Sequence, residues 1–428
     1  MIAAAFALSC LIPAPAQEEE GDFFDWARKI DDLDLTWQWG EFSFAASGQF
    51  DLEFFVFGDE SPGVHVEDSA VRSGRYERDE DSNSPDGAFR LSVFLDGSFR
   101  DWLEWSLEGR LDGTTGAEGN VGARFEQAWA RLKPFEEPTA KFQLGKFAAP
   151  VGNFIPRSSS KRNPLATWPL AYDHLTSLTS AGDTAADLSA NKDAEDIKDW
   201  YVPIWQAVYA TGVMVFGDVS DFTYAVALMN SAPGTLPEDW DRKAFDADFY
   251  NLYLRLGYRP DPTTQVGASW SRGPYEKSSR GPGLPGPGPG PGGGGVSDPE
   301  DQEQTLFGVD ASYASGFLEF FGELYWTQLD SESISDDPDL WTWYLEGKYQ
   351  VTPEAHAAVR VAQMYFGQVE DAGGDRVTWD RDVTRVEFGG GYFFTTNLFA
   401  KVTQQLNWHM GGREPDDHLF MVQLGLAF

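Results

Sequence analysis

HLFMVQLGLAF, residues 418–428, is the stretch that decides the fold. Phe420, Val422, Leu424, Leu426 and Phe428 alternate with Met421, Gln423, Gly425 and Ala427. Period-two alternation places each set on its own face of a β-strand. One face is wholly apolar, the other is small or polar, and the chain stops on the aromatic Phe428. A barrel in an outer membrane ends in this way, because its last strand pairs with its first and leaves no edge. Taken alone, the segment also suits the final strand of a soluble sandwich.

Moving outward, the same alternation recurs along the chain. Phe42, Phe44, Ala46, Gly48, Phe50, Leu52, Phe54 and Val56 share one face, against Ser43, Ser47, Gln49, Asp51 and Glu53. A basic residue facing lipid at mid-bilayer costs roughly 2–4 kcal/mol, and an acidic one somewhat less. The first face carries no charge and the second carries two carboxylates, as lipid and a wet lumen require. Phe89, Leu91, Val93, Leu95 and Phe99 repeat the pattern, followed by Leu103, Trp105, Leu107 and Leu111. Further strands fit at 123–133, 139–147, 204–216, 220–231, 247–259, 263–273, 303–314, 316–328, 340–351, 355–366, 383–394, 397–408 and 417–428. The expected fold is all-β, an antiparallel transmembrane β-barrel of about sixteen strands. Short turns alternate with long loops, which puts both termini on the short-turn side. Just before several short turns the outward residue is aromatic: Phe99, Tyr258, Tyr313, Tyr349, Tyr392 and Phe428. Such girdles belong at membrane interfaces. Lys146, Gln363 and Gln404 fall on outward phases and depart from the pattern.

Composition agrees. Gly 44, an aromatic fraction of 15% and a mean hydropathy of -0.38 go together where half of each strand faces water. No apolar run of about eighteen residues occurs, so no helix is expected to span a bilayer. A net charge of -36 argues against nucleic acid as a partner, since phosphate binding needs clustered Lys and Arg. Residues 1–16 read as a signal peptide, with an apolar stretch at 2–12 and Ala14-Pro15-Ala16 as a small-x-small cleavage site. A basic region before the apolar stretch is missing, which points to a true start upstream of Met1. Cleavage after Ala16 removes Cys10, the only cysteine, so the mature chain holds no disulfide. Residues 17–35 form an acidic periplasmic lead-in, and 36–428 the barrel.

Among the connections, residues 58–87 are acidic and read as a solvated surface loop. Residues 281–295 are almost only Gly and Pro and cannot bury a core. The longest loop, 148–203, carries Arg157, Lys161 and Arg162, the only basic cluster of its density, with Asp173 among the opposing acids. Loops of this size are usually functional or disordered. Either this cluster lines a constriction and attracts anions, or it braces the loop through internal salt bridges. Alternation turns Arg90, Arg110, Arg131, Lys141, Arg255, Arg360, Arg385 and Lys401 inward as candidate pore-lining cations. Glu104, Glu108, Asp310, Glu319, Glu323, Glu346 and Glu387 point inward with them, so no ladder of one sign is evident.

At Leu144-Gly145-Lys146-Phe147-Ala148-Ala149-Pro150-Val151-Gly152, followed by the Ser/Arg-rich residues 157–164, the chain resembles the phosphate-selective porin family, porins O and P. Phe307-Gly308-Val309-Asp310-Ala311-Ser312-Tyr313 with Glu323, Trp343-Tyr344-Leu345-Glu346-Gly347-Lys348-Tyr349 and Gly390-Gly391-Tyr392 extend the resemblance in order. It implies a sixteen-stranded, homotrimeric pore of the bacterial outer membrane, whose third loop, residues 148–203, folds inward. Phosphate selectivity does not follow, because the arginine ladder is not there.

No His-Glu-x-x-His, Gly-x-Ser-x-Gly or Gly-x-x-x-x-Gly-Lys pattern appears, and no metal or cofactor is implied. The sequence therefore points to a non-enzymatic porin passing small hydrophilic solutes or ions, with outer-membrane lipid around it. The alternatives are a barrel enzyme, with His174 near Asp173 and Ser177 or His65 near Asp68 and Ser69, and a structural barrel with a plugged lumen.

Overall fold

The wall grows from sixteen antiparallel strands, each at a place where the sequence alternates. The computed structural model describes residues 35–57, 86–114, 121–135, 139–178, 183–192, 201–205, 208–235, 250–275, 302–331, 333–371, 373–410 and 418–428. The expected signal peptide, the lead-in up to residue 34, His65 and the Gly/Pro loop lie outside the described residues, as does nearly all of the acidic loop.

The barrel strands are β2 (Phe42–Phe57), β3 (Asp86–Phe99), β4 (Leu103–Thr114), β5 (Val121–Leu132), β6 (Lys141–Ala148), β7 (Tyr209–Val219), β8 (Phe222–Met229), β9 (Asn251–Asp261), β10 (Thr264–Pro274), β11 (Glu303–Ser315), β12 (Leu318–Leu329), β13 (Asp339–Gln350), β14 (Ala355–Phe366), β17 (Val383–Phe393), β18 (Leu398–His409) and β19 (Leu419–Ala427). Each pairs with its neighbour in sequence order, and β19 pairs with β2 from Leu419↔Phe57 to Ala427↔Gln49. That pairing closes the sheet, and it is the one the 418–428 stretch called for.

The structure departs from the expected strand set in three places. A short strand, β1 (Thr36–Trp39), pairs with residues 42–45 of β2 and continues the line of β19 along it. Phe428 and Gly48 exchange backbone hydrogen bonds at 2.7 and 2.9 Å, just beyond the last residue of β1's stretch. A two-stranded hairpin, β15 (Gln368–Glu370) with β16 (Arg376–Thr378), stands on the loop after β14. The strand expected at 204–216 starts only at Tyr209, because residues 201–205 instead belong to the filled interior described below.

The outer surface is apolar. Phe54, Val93, Leu144, Leu256 and Leu345 are all exposed, the last at 63%. Tyr258, Tyr313, Tyr349 and Tyr392, at the turn ends of their strands, are exposed too. Two stacked sheets would have buried these side chains against one another. The three departures each have a local account. Between β4 and β5 the register shifts at Glu108/Gly109, leaving Glu126 as an extra residue. This bulge turns Glu126 inward beside Gln127 and interrupts the ladder near Phe125, whose carbonyl accepts from Lys146 Nζ at 2.9 Å. The Gln363 amide donates to Thr384 Oγ1 at 3.2 Å, and Gln404 donates to the Leu419 carbonyl at 3.2 Å.

Inside, half of the barrel is packed. Phe154, Leu170, Ala171 and Tyr172 of the third loop are buried against Tyr325, Tyr344, Met364 and Phe366 of the inner wall. The uniformly hydrated bore that alternation suggests is therefore not what the chain builds. The loop carries more apolar surface than a solvated loop would, and the only apolar partner within reach is the wall.

Candidate pore and its loop

The third loop enters the lumen at Gly152. Its φ is +61°, and a Cβ there would stand 1.9 Å from the Tyr325 hydroxyl and 2.4 Å from Glu323 Oε1. Glycine alone tolerates both the left-handed backbone and the close approach. The two following N–H groups, of Asn153 and Phe154, donate to Glu323 Oε1 at 2.5 and 2.8 Å. The Tyr172 hydroxyl donates to the other oxygen at 2.8 Å. Glu323 is thus a fixed point to which the loop is tied by its backbone.

A second tie is ionic. After the short 3-10 turn Ile155–Arg157, Arg157 Nη1 reaches Glu346 Oε1 at 2.5 Å. Glu346 Oε2 accepts from Arg360 Nε and Nη2 at 2.8 and 2.5 Å. Arg360 Nη1 pairs in turn with Glu387 at 3.1 Å and also donates to the Thr167 carbonyl of the loop, while Nη2 donates to Asn163 Oδ1. Arg157–Glu346–Arg360–Glu387 is a row of alternating charge whose members satisfy one another, which is what lets charges persist out of water. Burial works against the Arg157 charge, but Glu346 and Tyr344 outweigh it and lift its pKa above the usual arginine value.

Further along, Lys401 donates to the carbonyls of Ser160 and Asn163, and Ser160 Oγ bonds Asp51 at 2.5 Å. Arg385 donates to the Trp168 carbonyl and pairs with Asp173 at 2.9 Å, where the loop forms the short helix α1 (Leu170–Asp173). A second helix, α2 (Ala185–Asn191), opens on a capping box between Thr184 and Asp187. Near the loop's far end the Ser177 N–H donates to Asp380 Oδ2 at 2.5 Å. Burial pushes the Asp380 carboxyl up to about 6 despite that bond and the one from the Arg381 N–H.

A cavity of about 970 Å³ stays open on the turn side of the loop. Residues 158–162 of the loop border it, as do Arg90, Phe94, Glu108 and Arg110 on β3 and β4, Phe216 on β7 and Arg255 on β9. The predicted constriction residues thus divide. Lys161 and Arg162 edge the open space, whereas Arg157 and Asp173 brace the loop against the wall. Arg162 is exposed and donates to the Pro156 carbonyl at 3.1 Å; among the described residues no carboxylate pairs with it. Lys161 bonds Asn397 Oδ1 at 2.7 Å.

The predicted lining residues divide similarly. Arg90 pairs with Glu53 at 2.7 Å, Arg110 with Glu126 at 3.0 Å and Arg255 with Asp310 at 2.7 Å, and all three edge the cavity. Arg131 pairs with Glu104 at 3.2 Å and lies 4.5 Å over the Trp129 ring, and Lys141 lies 5.7 Å from the Phe216 ring. Glu323, Arg360 and Arg385 point inward as alternation requires but lie beneath the loop, so they hold it instead of facing open lumen. Alternation fixes which way a side chain points; it does not say what covers it.

Asn163, Thr167, Tyr172 and Asp380 were missed. The available signal was Tyr325 and Tyr344 on inward phases beside Glu323 and Glu346, since mid-strand aromatics facing a lumen need something to pack against. The groups imagined around His174 are engaged elsewhere: Asp173 with Arg385, and the Ser177 hydroxyl with the Trp379 carbonyl. Among the described residues no group of three or more His, Cys, Asp or Glu is placed to hold a metal ion.

Solved structures match this architecture over nearly its whole length. OmpF of Salmonella typhi, in complex with daunomycin, aligns at a TM-score of 0.55 and 11% identity, over 92% of this chain and all of that one. An anion-selective porin from Comamonas acidovorans aligns at 0.52 and 12%, over 91% of this chain and 100% of its own. The chain has the porin fold. A third neighbour, the outer membrane channel DcaP of Acinetobacter baumannii, aligns at 0.50 and 8%, over 92% and 100%. No protein-family model and no curated protein matches the sequence.

Proposed function

We propose that this protein is an outer-membrane porin through which small hydrophilic solutes and ions diffuse passively beside the third loop. The observation that carries the reading is the exposed Arg162, which no carboxylate pairs among the described residues, on an inward-folded loop and facing a cavity whose opposite wall carries paired charges. Such a wall keeps water in the passage while leaving net charge on the loop to bias which ions pass. The apolar outer surface supports insertion in lipid, and export through residues 1–16 belongs to the same proposal. The basic loop tip at Lys161 and Arg162 favours anions over cations. A homotrimer is part of the reading. Ala128 and Ala130 on β5 leave a shallow strip on the outer wall, and cross-linking in native membranes that yields only monomer would remove it.

Purified protein in planar lipid bilayers tests the channel directly, with discrete conductance steps expected. A plugged structural barrel is the second reading, and one observation favours it. At the loop end, residues 201–205 and 231–235 are buried together, with the Trp205 N–H on the Pro233 carbonyl at 2.8 Å and the Gly234 N–H on Gln304 at 2.7 Å. A folded barrel that inserts yet stays electrically silent would establish that reading and overturn ours. Catalysis has no comparable observation in its favour.

A further inference from the structure

The cavity is not uniformly polar. Phe94 on β3 and Met214 and Phe216 on β7 are half-buried residues that border the same space as Arg162. Phe216 is flanked by cations: the Arg131 guanidinium lies 5.1 Å from its ring centre and Lys141 Nζ 5.7 Å from it. Apolar side chains left in contact with water are unfavourable, and they lower the free energy of any solute that covers them. A hydrated inorganic anion gains nothing from them. A solute with a flat apolar body and one anionic group gains at both ends, from the rings and from the exposed guanidinium of Arg162, which among the described residues has no carboxylate beside it.

Resting on the porin reading, we propose that the passage favours small amphiphilic monoanions, aromatic carboxylates in particular, over inorganic phosphate. Phe216 and Phe94 receive the apolar body and Arg162 the carboxylate. The wall carboxylates that could repel such a solute are mostly neutralised where they stand. Asp51 lies 3.5 Å from Arg90, Glu126 pairs with Arg110 and Asp310 with Arg255, while Glu108 accepts from Gln127 at 2.8 Å.

The test is the full chain in planar bilayers at neutral pH, with reversal potentials read for sodium benzoate and for sodium phosphate, each against sodium chloride. Benzoate is expected to be the more permeant by at least about fourfold, the order that one covered methylene contributes. In a Phe94→Ser, Phe216→Ser double variant the benzoate-to-phosphate ratio should fall toward one, and in Arg162→Gln both anions should lose permeability relative to sodium. Equal permeabilities in the unmodified protein, or a ratio unmoved by the double variant, would overturn the inference while leaving the porin reading intact. Absence of any conductance would remove the porin reading itself and this inference with it.

Discussion

Replacing Glu346 by glutamine should loosen the third loop more than any other single change on the inner wall. Glu346 receives three hydrogen bonds from two guanidinium groups, and neither it nor Arg360 has measurable exposure. Arg360 keeps Glu387 in the variant, but Arg157 loses its one ionic partner among those described, keeping the Tyr344 hydroxyl at 2.9 Å and the Phe321 ring at 4.0 Å. Breaking one side of a buried pair typically costs about 3–5 kcal/mol. Glutamine preserves one acceptor oxygen, so the lower figure, about 3 kcal/mol, is the one to expect. That is a change of somewhat over a hundredfold in the ratio of seated to released loop. Two assays read it. Single-channel records should gain frequent transitions between conductance levels, and trypsin added to the loop side should cut after Arg157, Lys161 or Arg162 much faster than in the parent. Glu319→Gln is the matched control, since the Glu319–Lys348 pair is partly exposed at 38% and 21%. A partly solvated pair of this kind contributes only about 0–1 kcal/mol. If Glu346→Gln and Glu319→Gln give the same noise and the same cleavage rate, the loop is not held by this row of charges.

Other outcomes follow from the same geometry. Arg162→Glu should move the reversal potential in a potassium chloride gradient toward cations without lowering thermal stability, whereas Arg157→Glu should destabilise, because it sets two carboxylates against each other at Glu346. Gly152→Ala demands a left-handed alanine and a clash with Tyr325. Together these cost about 2–4 kcal/mol, which a drop in the temperature at which the barrel loses its compact mobility on gels would register. The Asp380 carboxyl has a folded-state pKa raised by burial to about 6, against an ordinary value of 3.8. Its contribution to stability is therefore complete below the ordinary value and is lost as pH rises through about 6. The unfolding temperature should decline across that interval, and Asp380→Asn should flatten the decline.

Most of the wall could be read from the chain, because strand register in a half-lipid, half-lumen sheet is dictated by a repeat of two and a single slip would put Asp51 or Glu53 into lipid. The apolar run of β19 and its match to β2 follow from that rule. β1 was not legible: Thr36, Trp37, Gln38 and Trp39 are too few to show a period, and their pairing depends on where β19 happens to stop. Lys146 was legible only as an exception, since nothing local announces that a bulge one strand away will offer it a carbonyl. The loop's basic cluster was visible, but its division into residues that brace the wall and residues that edge the cavity was not. Arg157 and Arg162 are five positions apart with similar neighbours in sequence, and what separates them is Glu346, nearly two hundred residues downstream. Long-range pairing of that kind leaves no periodic trace.

Among the described residues the third loop is tied most heavily to the arc from β12 round to β18, with fewer bonds to β2, β10 and β11, and the open space of the cavity runs off-centre along β2 to β9. The circumference is thereby divided into two territories that answer to different pressures. Substitutions on the covered arc are judged by whether the loop stays seated; under the proposed porin role, those on the uncovered arc are judged by what can travel past them. Under that same proposed role, someone wishing to retune what passes could work along β3, β4 and β7 alone and leave the scaffolding on the far side untouched.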